Sequence, residues 1–281
     1  MPLGVHCSIA GGIPKAVDRA AALGCDCVQI FLRSPRVWSS RPVTKKEVEL
    51  FRAKRKAAGL RSVAVHGSYL INLSSPKRGL FKKSVGLFIK EIELAGKLGA
   101  DYVVTHPGSA PGREKGFGVK RVIEALGEVA AALKPEVTVL VENTAGAGSQ
   151  TGRELSAIGG IIAGAKGVRA GLCFDTCHGF AAGYPMRNRR EVDSLMKAID
   201  NDVGIENLKL IHLNDSKAEL GSGVDRHQHI GDGMIGLEGF RAFLGHRAVS
   251  GVPVILETPK ITASDDPCNL KVVRDMMKTR A

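Results

Sequence analysis

The chain has 281 residues, 44% of them hydrophobic, with a mean hydropathy of +0.01. That is the composition of a folded globule with ample material for a core, and it excludes a disordered or collagen-like chain. Lys and Arg number 40 against 28 Asp and Glu, a formal charge of +12, which concentrates polyanions near the surface without choosing a fold. Nucleic acid is the leading partner class, although basic enzymes also carry such charge without binding DNA.

No run approaches 18 apolar residues, and the opening MPLGVHCSIAGG has no basic stretch followed by a long apolar one. The expectation is a cytoplasmic protein with neither an export signal nor a membrane span. The cysteines at 7, 25, 27, 173, 177 and 268 show neither C-x-x-C spacing nor a compact disulfide framework, so reduced thiols are expected.

In chain order, short apolar or β-branched runs recur: LGVH (3–6), DCVQIF (26–31), SVAVH (62–66), DYVVTH (101–106), VTVLVE (137–142), AGLCFD (170–175), LKLIH (208–212) and VPVILE (252–257). Segments of helical periodicity lie between them. KKEVELFRAKRKAAG follows the second run, and FKKSVGLFIKEIELAGKLG follows the third, ending in a glycine suited to a helix C-terminus. SIAGG (8–12) and GSAPGREKGFG (108–118) read as loops, and the basic run KKEVELFRAKRK as a solvated helix face. Apolar runs without polar alternation suit parallel strands buried on both faces. Eight of them alternating with helices predict an α/β fold, a single-domain (β/α)8 TIM barrel spanning 1–281, rather than an open doubly wound sheet.

Every run except the second stops at a residue able to ligate a metal: His6, His66, His106, Glu142, Asp175, His212 and Glu257. Residues far apart in sequence converge at the C-terminal rim of such a barrel, so a metal site is expected there. Buried carboxylates are costly unless neutralised, and Glu142, Asp175 and Glu257 each end an apolar strand. Imidazole nitrogen mixed with carboxylate oxygen suits Zn2+, with Mn2+ or Fe2+ as alternatives. His178 in DTCH, with Asp225 and His227 in VDRHQHI, brings the pool near nine donors, which fits two or three ions better than one. Adjacent ions favour in-line displacement at phosphorus, so phosphodiester hydrolysis follows from site and charge together, with Glu142 able to bridge two ions. Cys173 shares a strand face with Asp175 and reads as a packed small hydrophobe rather than a nucleophile. His229 and His246 read as structural or solvent-facing.

The strings HGSYLINL (66–73), HPGS (106–109), VENTAGAGS (141–149), FDTCHGFAAGY (174–184), IHLNDSK (211–217), VDRH (224–227) and ILETP (255–259) resemble the endonuclease IV family of apurinic/apyrimidinic endonucleases, in the family's order, over essentially the whole chain. The resemblance implies a zinc-dependent DNA-repair hydrolase that cuts duplex DNA on the 5′ side of an abasic site and leaves a 3′-hydroxyl and a 5′-deoxyribose phosphate. It implies three zinc ions. One would be held by His66, His106 and Glu142, a second by Glu142, Asp175, His212 and Glu257, and the third by His178, Asp225 and His227. Glu142 would be the catalytic bridge. Arg36 and the pair Tyr69 and Leu70 would enter the duplex at the lesion, Arg226 would meet phosphate or brace its loop, and the protein would act as a monomer. Arg33 and Ser34 stand where the family commonly has Lys-Asn, and Asp232 in IGDGMIG where it has Glu; neither position is a zinc ligand, and the first departure bears on backbone contacts and lesion preference while the hydrolytic centre is untouched. Sugar isomerases and epimerases use the same barrel, but that reading leaves His178 and VDRH without a role. A non-catalytic DNA-binding protein with structural zinc would need closed four-ligand sites.

Overall fold

Each apolar run forms a strand, and the strands pair in parallel until the last meets the first. In the computed structural model, which describes residues 1–39 and 41–278, the closed barrel comprises β1 (Leu3–Cys7), β2 (Cys27–Phe31), β3 (Ser62–His66), β4 (Tyr102–Thr105), β5 (Thr138–Glu142), β6 (Ala170–Asp175), β7 (Leu208–His212) and a last strand, β10 (Val254–Leu256), which pairs with both β7 and β1. Between β7 and β10 in the chain, β8 (Asp215–Ser216) and β9 (His227–Gln228) form a separate antiparallel ribbon, with Ser216 opposite His227. The expected (β/α)8 barrel is the observed fold. His106 and Glu257 lie one residue beyond the paired parts of β4 and β10, and β1 runs one residue past His6.

The helices that cover the barrel are α1 (Pro14–Ala22), α2 (Lys45–Ala57), α3 (Arg78–Leu98), α4 (Phe117–Ala132), α5 (Leu155–Gly164), α6 (Thr176–Ala182), α7 (Arg189–Val203), α8 (Gly236–Gly245) and α9 (Asp265–Lys278). α2 begins at a reciprocal cap in which the Thr44 hydroxyl accepts from the Glu47 N–H and the Glu47 carboxylate accepts from the Thr44 N–H. Phe51 is its one buried side chain, so the basic run is the solvated face expected. α3 stops at Gly99, whose φ of 71° is a left-handed conformation that ends a helix without Cβ strain.

Strand side chains alternate, and in a closed barrel one set points out to the helices and the other into the barrel. The outward set joins the main core with Phe81, Phe88, Phe240 and Phe243 from the helices. The inward set forms a second cluster of Cys27, Ala64, Val104, Leu140, Cys173, Leu210 and Ile255. β1 contributes only Gly4 at this level; a Cβ there would lie 1.8 Å from the Cys27 carbonyl oxygen. Cys173 is thus interior packing, as expected, and burial pushes its thiol up to about 12.

Cys7, Cys25, Cys27, Cys173 and Cys177 are buried and Cys268 is exposed, none of them in a disulfide. A thiol reagent should therefore titrate one cysteine in the native protein and all six after unfolding. Several rapidly reacting thiols in the native state would contradict the packing described.

Candidate metal centre

Two residues beyond the interior cluster, the same inward faces present His6, Gln29, His66, His106, Glu142, Asp175, His212 and Glu257. Seven of these are the strand-end residues expected. β2 is no exception to the pattern: its inward residue at this level is Gln29, in the middle of the strand rather than at its end. The sequence signal for it is the one polar side chain, Gln29, inside the apolar run CVQIF.

Glu142 is fully buried at the centre. Its Oε2 lies 3.2 Å from His66 Nε2 and 3.4 Å from His106 Nε2, while its Oε1 lies 3.0 Å from His212 Nδ1 and 3.2 Å from His178 Nδ1. Each carboxylate oxygen therefore faces a different set of imidazoles. Asp175, also fully buried, ends β6 and caps α6 by accepting from the His178 N–H at 2.8 Å. Its other oxygen lies 3.7 Å from His227 Nε2 and 4.0 Å from His212 Nδ1. Glu257 Oε2 is 3.3 Å from His212 Nδ1. Half-exposed Asp225 completes the group, 3.1 Å from His178 Nε2 and 3.4 Å from His227 Nε2. All nine expected ligands are thus brought together.

Among the described residues, every ion pair made by Glu142 and Asp175 is with an imidazole. Burial alone would raise the Glu142 carboxyl, yet the imidazoles of His106, His212 and His178 hold it well below its ordinary value. Burial pulls His178 and His212 down, and is outweighed: Asp175, Asp225 and Glu142 hold His178 well above the usual range, as Cys173, Glu257 and Glu142 do His212. At His106 burial wins and the ring is pulled down. The imidazoles thus offset the buried carboxylate charge, a role that a divalent cation would take over.

The donor set fits such a cation. The nine residues fall into three groups, His66–His106–Glu142, Glu142–Asp175–His212–Glu257 and His178–Asp225–His227, each with ligand atoms within 4.8 Å of one another. Asp175, Cys177 and His227 form a fourth, overlapping group, but burial pushes the Cys177 thiol up to about 12, a poor donor beside carboxylates. His227 Nε2 is buried without a hydrogen-bond partner and faces two carboxylates, an orphan donor atom awaiting a cation. The ring is aimed there by its Nδ1–H, which donates to the Glu257 carbonyl at 3.0 Å, just as His66 Nδ1 donates to the Gly67 carbonyl at 2.8 Å.

Supporting residues escaped the sequence reading because amides and a distant carboxylate have no metal-ligand signature. Gln29 donates to Glu257 Oε1 at 2.6 Å and accepts from His212 Nε2 at 2.8 Å. Asn214 donates to Asp175 at 2.7 Å and accepts from the Glu257 N–H at 2.8 Å. His6 sits against Glu257 at 3.2 Å and belongs to none of the donor groups. Asp215 is buried and accepts N–H bonds from Gly231, Gly233 and Ile235. It thereby cinches the loop containing Asp232 against the ribbon that holds His227.

A cavity of about 610 Å³ opens beside the cluster, lined by His6, Phe31, Arg33, Tyr69, His227 and Lys260 among others. Tyr69 is 58% exposed and its ring meets Phe31 and His66 edge-on at 5.3 and 5.8 Å. Leu70 beside it is half-buried. Arg36 is exposed in the loop after β2, next to Pro35 of the cavity wall. Arg226 is exposed between two donors, and its carbonyl accepts from the Lys217 N–H at 2.8 Å, extending the ribbon. His229 takes the Asn269 amide at 3.0 Å and His246 caps the turn at Ala248, both structural roles.

Residues 17–280 match the family model described as xylose isomerase-like TIM barrel. A protein of Halothermothrix orenii named "Probable endonuclease 4" is 42% identical over 271 residues, covering 96% of this chain and 98% of its own length. The chain belongs to the endonuclease IV family. The crystal structure of endonuclease IV from Thermus thermophilus superposes with a TM-score of 0.88 at 37% identity, over 99% of this chain and 100% of that one. A D-tagatose 3-epimerase-like protein superposes with a TM-score of 0.76 at 20% identity, over 100% of this chain and 98% of that one, a likeness of fold alone. Membership of the endonuclease IV family implies metal ions, and the donor groups are where this member could hold them.

Because Gln29 fixes both His212 and Glu257, Gln29→Ala should weaken metal retention by about 10–100-fold with the circular dichroism spectrum unchanged. Competition against a chromogenic chelator measures it; wild-type retention would show that Gln29 is only packing.

Proposed function

We propose that this chain is a DNA-repair endonuclease that hydrolyses the phosphodiester bond 5′ to abasic sites in duplex DNA, leaving a 3′-hydroxyl and a 5′-deoxyribose phosphate, with three zinc ions at the C-terminal rim of the barrel. Endonuclease IV relatives support a hydrolytic nuclease acting on DNA. The observation that carries the finer reading is the convergence of three donor groups around Glu142 and Asp175 beside a cavity open to solvent. A structural zinc site would be closed by four protein ligands, whereas two of the three donor groups offer only three and leave positions for water or phosphate. The donors are nitrogen and oxygen, which suits zinc, with Mn2+ or Fe2+ as alternatives at individual positions.

When bound, such ions stabilise the charge that develops on phosphate oxygens and lower the pKa of water. The chain's own residues do the rest. Glu142 offers one oxygen to each side of the cluster and so sets the spacing at which a phosphodiester is received. Gln29 and Asn214 hold Glu257 and Asp175 in place, so little reorganisation is needed when substrate arrives. Tyr69 and Leu70, with Arg36 from the neighbouring loop, supply the wedge at the lesion. An abasic nucleotide has no base to unstack, so extruding it costs less than extruding an intact one. Arg226 and the basic surface meet the backbone, and the protein works as a monomer on its DNA partner.

Incubation with a duplex containing one synthetic abasic analogue should give a single nick 5′ to the lesion, lost with chelator and restored by Zn2+. A chelator-insensitive nick, or none, would sink the proposal. Metal analysis of the purified protein should find about three equivalents per chain, mostly zinc; one or fewer defeats the trinuclear reading. Glu142→Gln should lower nicking by at least about 10²–10³-fold with the fold retained by circular dichroism, and near-normal turnover would remove Glu142 from the bridging role.

A further inference from the structure

The loop after β2 folds over the outer face of α3 and leaves a groove of about 580 Å³ between them. Its walls include Arg33, Arg41, Lys82, Lys83 and Lys90, together with Trp38, and no acidic side chain among the described residues. Arg41 is neutralised by Glu47 and Arg33 by Glu91. Among the described residues Lys82 and Lys90 line the groove without an acidic neighbour in its walls, and Lys83 lies over the Trp38 ring at 4.1 Å. Three cations therefore face an apolar floor of Leu32, Leu87 and Trp38 with nothing anionic opposite them. Charge on an ordinary solvated helix face is interspersed, with pairs such as Lys97–Glu93, and here it is not.

We propose that this groove carries the phosphodiester backbone of the duplex flanking the lesion, so that the DNA footprint extends beyond the metal centre along α3. The proposal rests on the reading of the chain as a DNA endonuclease. Two observations select DNA as occupant. Arg33 lines both this groove and the cavity beside the metal centre, so the two lie side by side. Lys83 and Lys90 are two helical turns apart, a rise of about 10.5 Å, which spans about three nucleotides at about 3.4 Å each. Gly86 lies on the same face, and a Cβ there would meet nothing within 4 Å; the bare backbone lets a strand approach between the lysines.

The test compares nicking of a short lesion-centred abasic duplex with that of one extended by a helical turn on each side. The variants are Lys82→Gln/Lys90→Gln, which removes charge, and Gly86→Leu, which fills the groove without changing charge and favours the helix. Lys134→Gln/Lys166→Gln, two exposed lysines at the opposite end of the barrel, matches the charge loss. On the long duplex both groove variants should raise KM several-fold with kcat held, and the lysine pair should lessen the salt slope by about 2. On the short duplex they should match wild type. Groove variants with wild-type KM on the long duplex, or a control pair that raises KM equally, overturn the proposal while leaving the nuclease reading intact. If wild type nicks neither duplex, the nuclease reading falls, and fluorescence of Trp38, the one tryptophan in the sequence, decides the groove separately: quenching by the long duplex that the lysine pair abolishes supports it, and no quenching overturns it.

Discussion

The whole arrangement depends on the two-residue alternation of eight strands whose ends cannot slip because the sheet is closed. One inward level is small and apolar, from Cys27 through Ala64 to Ile255. The next inward residue on each strand is polar, and it can only point at its counterparts from the other strands. Once register is fixed, Glu142 and Asp175 are buried, and the groups that compensate them are the histidines at the same level together with His178 of α6 and His227 of the ribbon. Shifting a strand by one residue would exchange its inward polar residue for an outward-facing neighbour, such as Val65, Val141, Phe174 or Ile211.

That constraint also explains the electrostatic character of the cluster. Buried carboxylates normally carry a Lys or Arg partner or lose their charge. Here the partners are imidazoles, which can lose a proton, while the Asn214 amide bonds Asp175 and the Gln29 amide bonds Glu257. A guanidinium in the same place would stabilise the fold and exclude a cation. The chemistry of the centre is therefore a choice of neutralising group as much as of ligand.

The fold and the donors were legible because both rest on local patterns: β-branched runs ended by His, Asp or Glu, spaced by helix-length segments. Family strings such as FDTCHGFAAGY and VDRH then grouped the donors in the same three sets that the structure brings together. Gln29, Asn214 and Asp215 were not legible, since an amide inside a strand or a loop carboxylate acquires its role only from a partner 16 to 228 residues away. The groove along α3 was hidden for a related reason. Lys82, Lys83 and Lys90 look like a solvated helix until the loop bearing Trp38 is seen to close over them.

One consequence follows from the short ribbon of β8 and β9. Seven of the nine donors sit on barrel strands, immediately after them, or on the helix that Asp175 caps, whereas Asp225 and His227 hang from a two-residue pairing tied down by Asp215. The cluster thus joins a stiff part to a compliant one. Fraying of the ribbon would dismantle one donor group without disturbing the barrel, so a cation held by that group could be exchanged at far smaller free-energy cost than global unfolding.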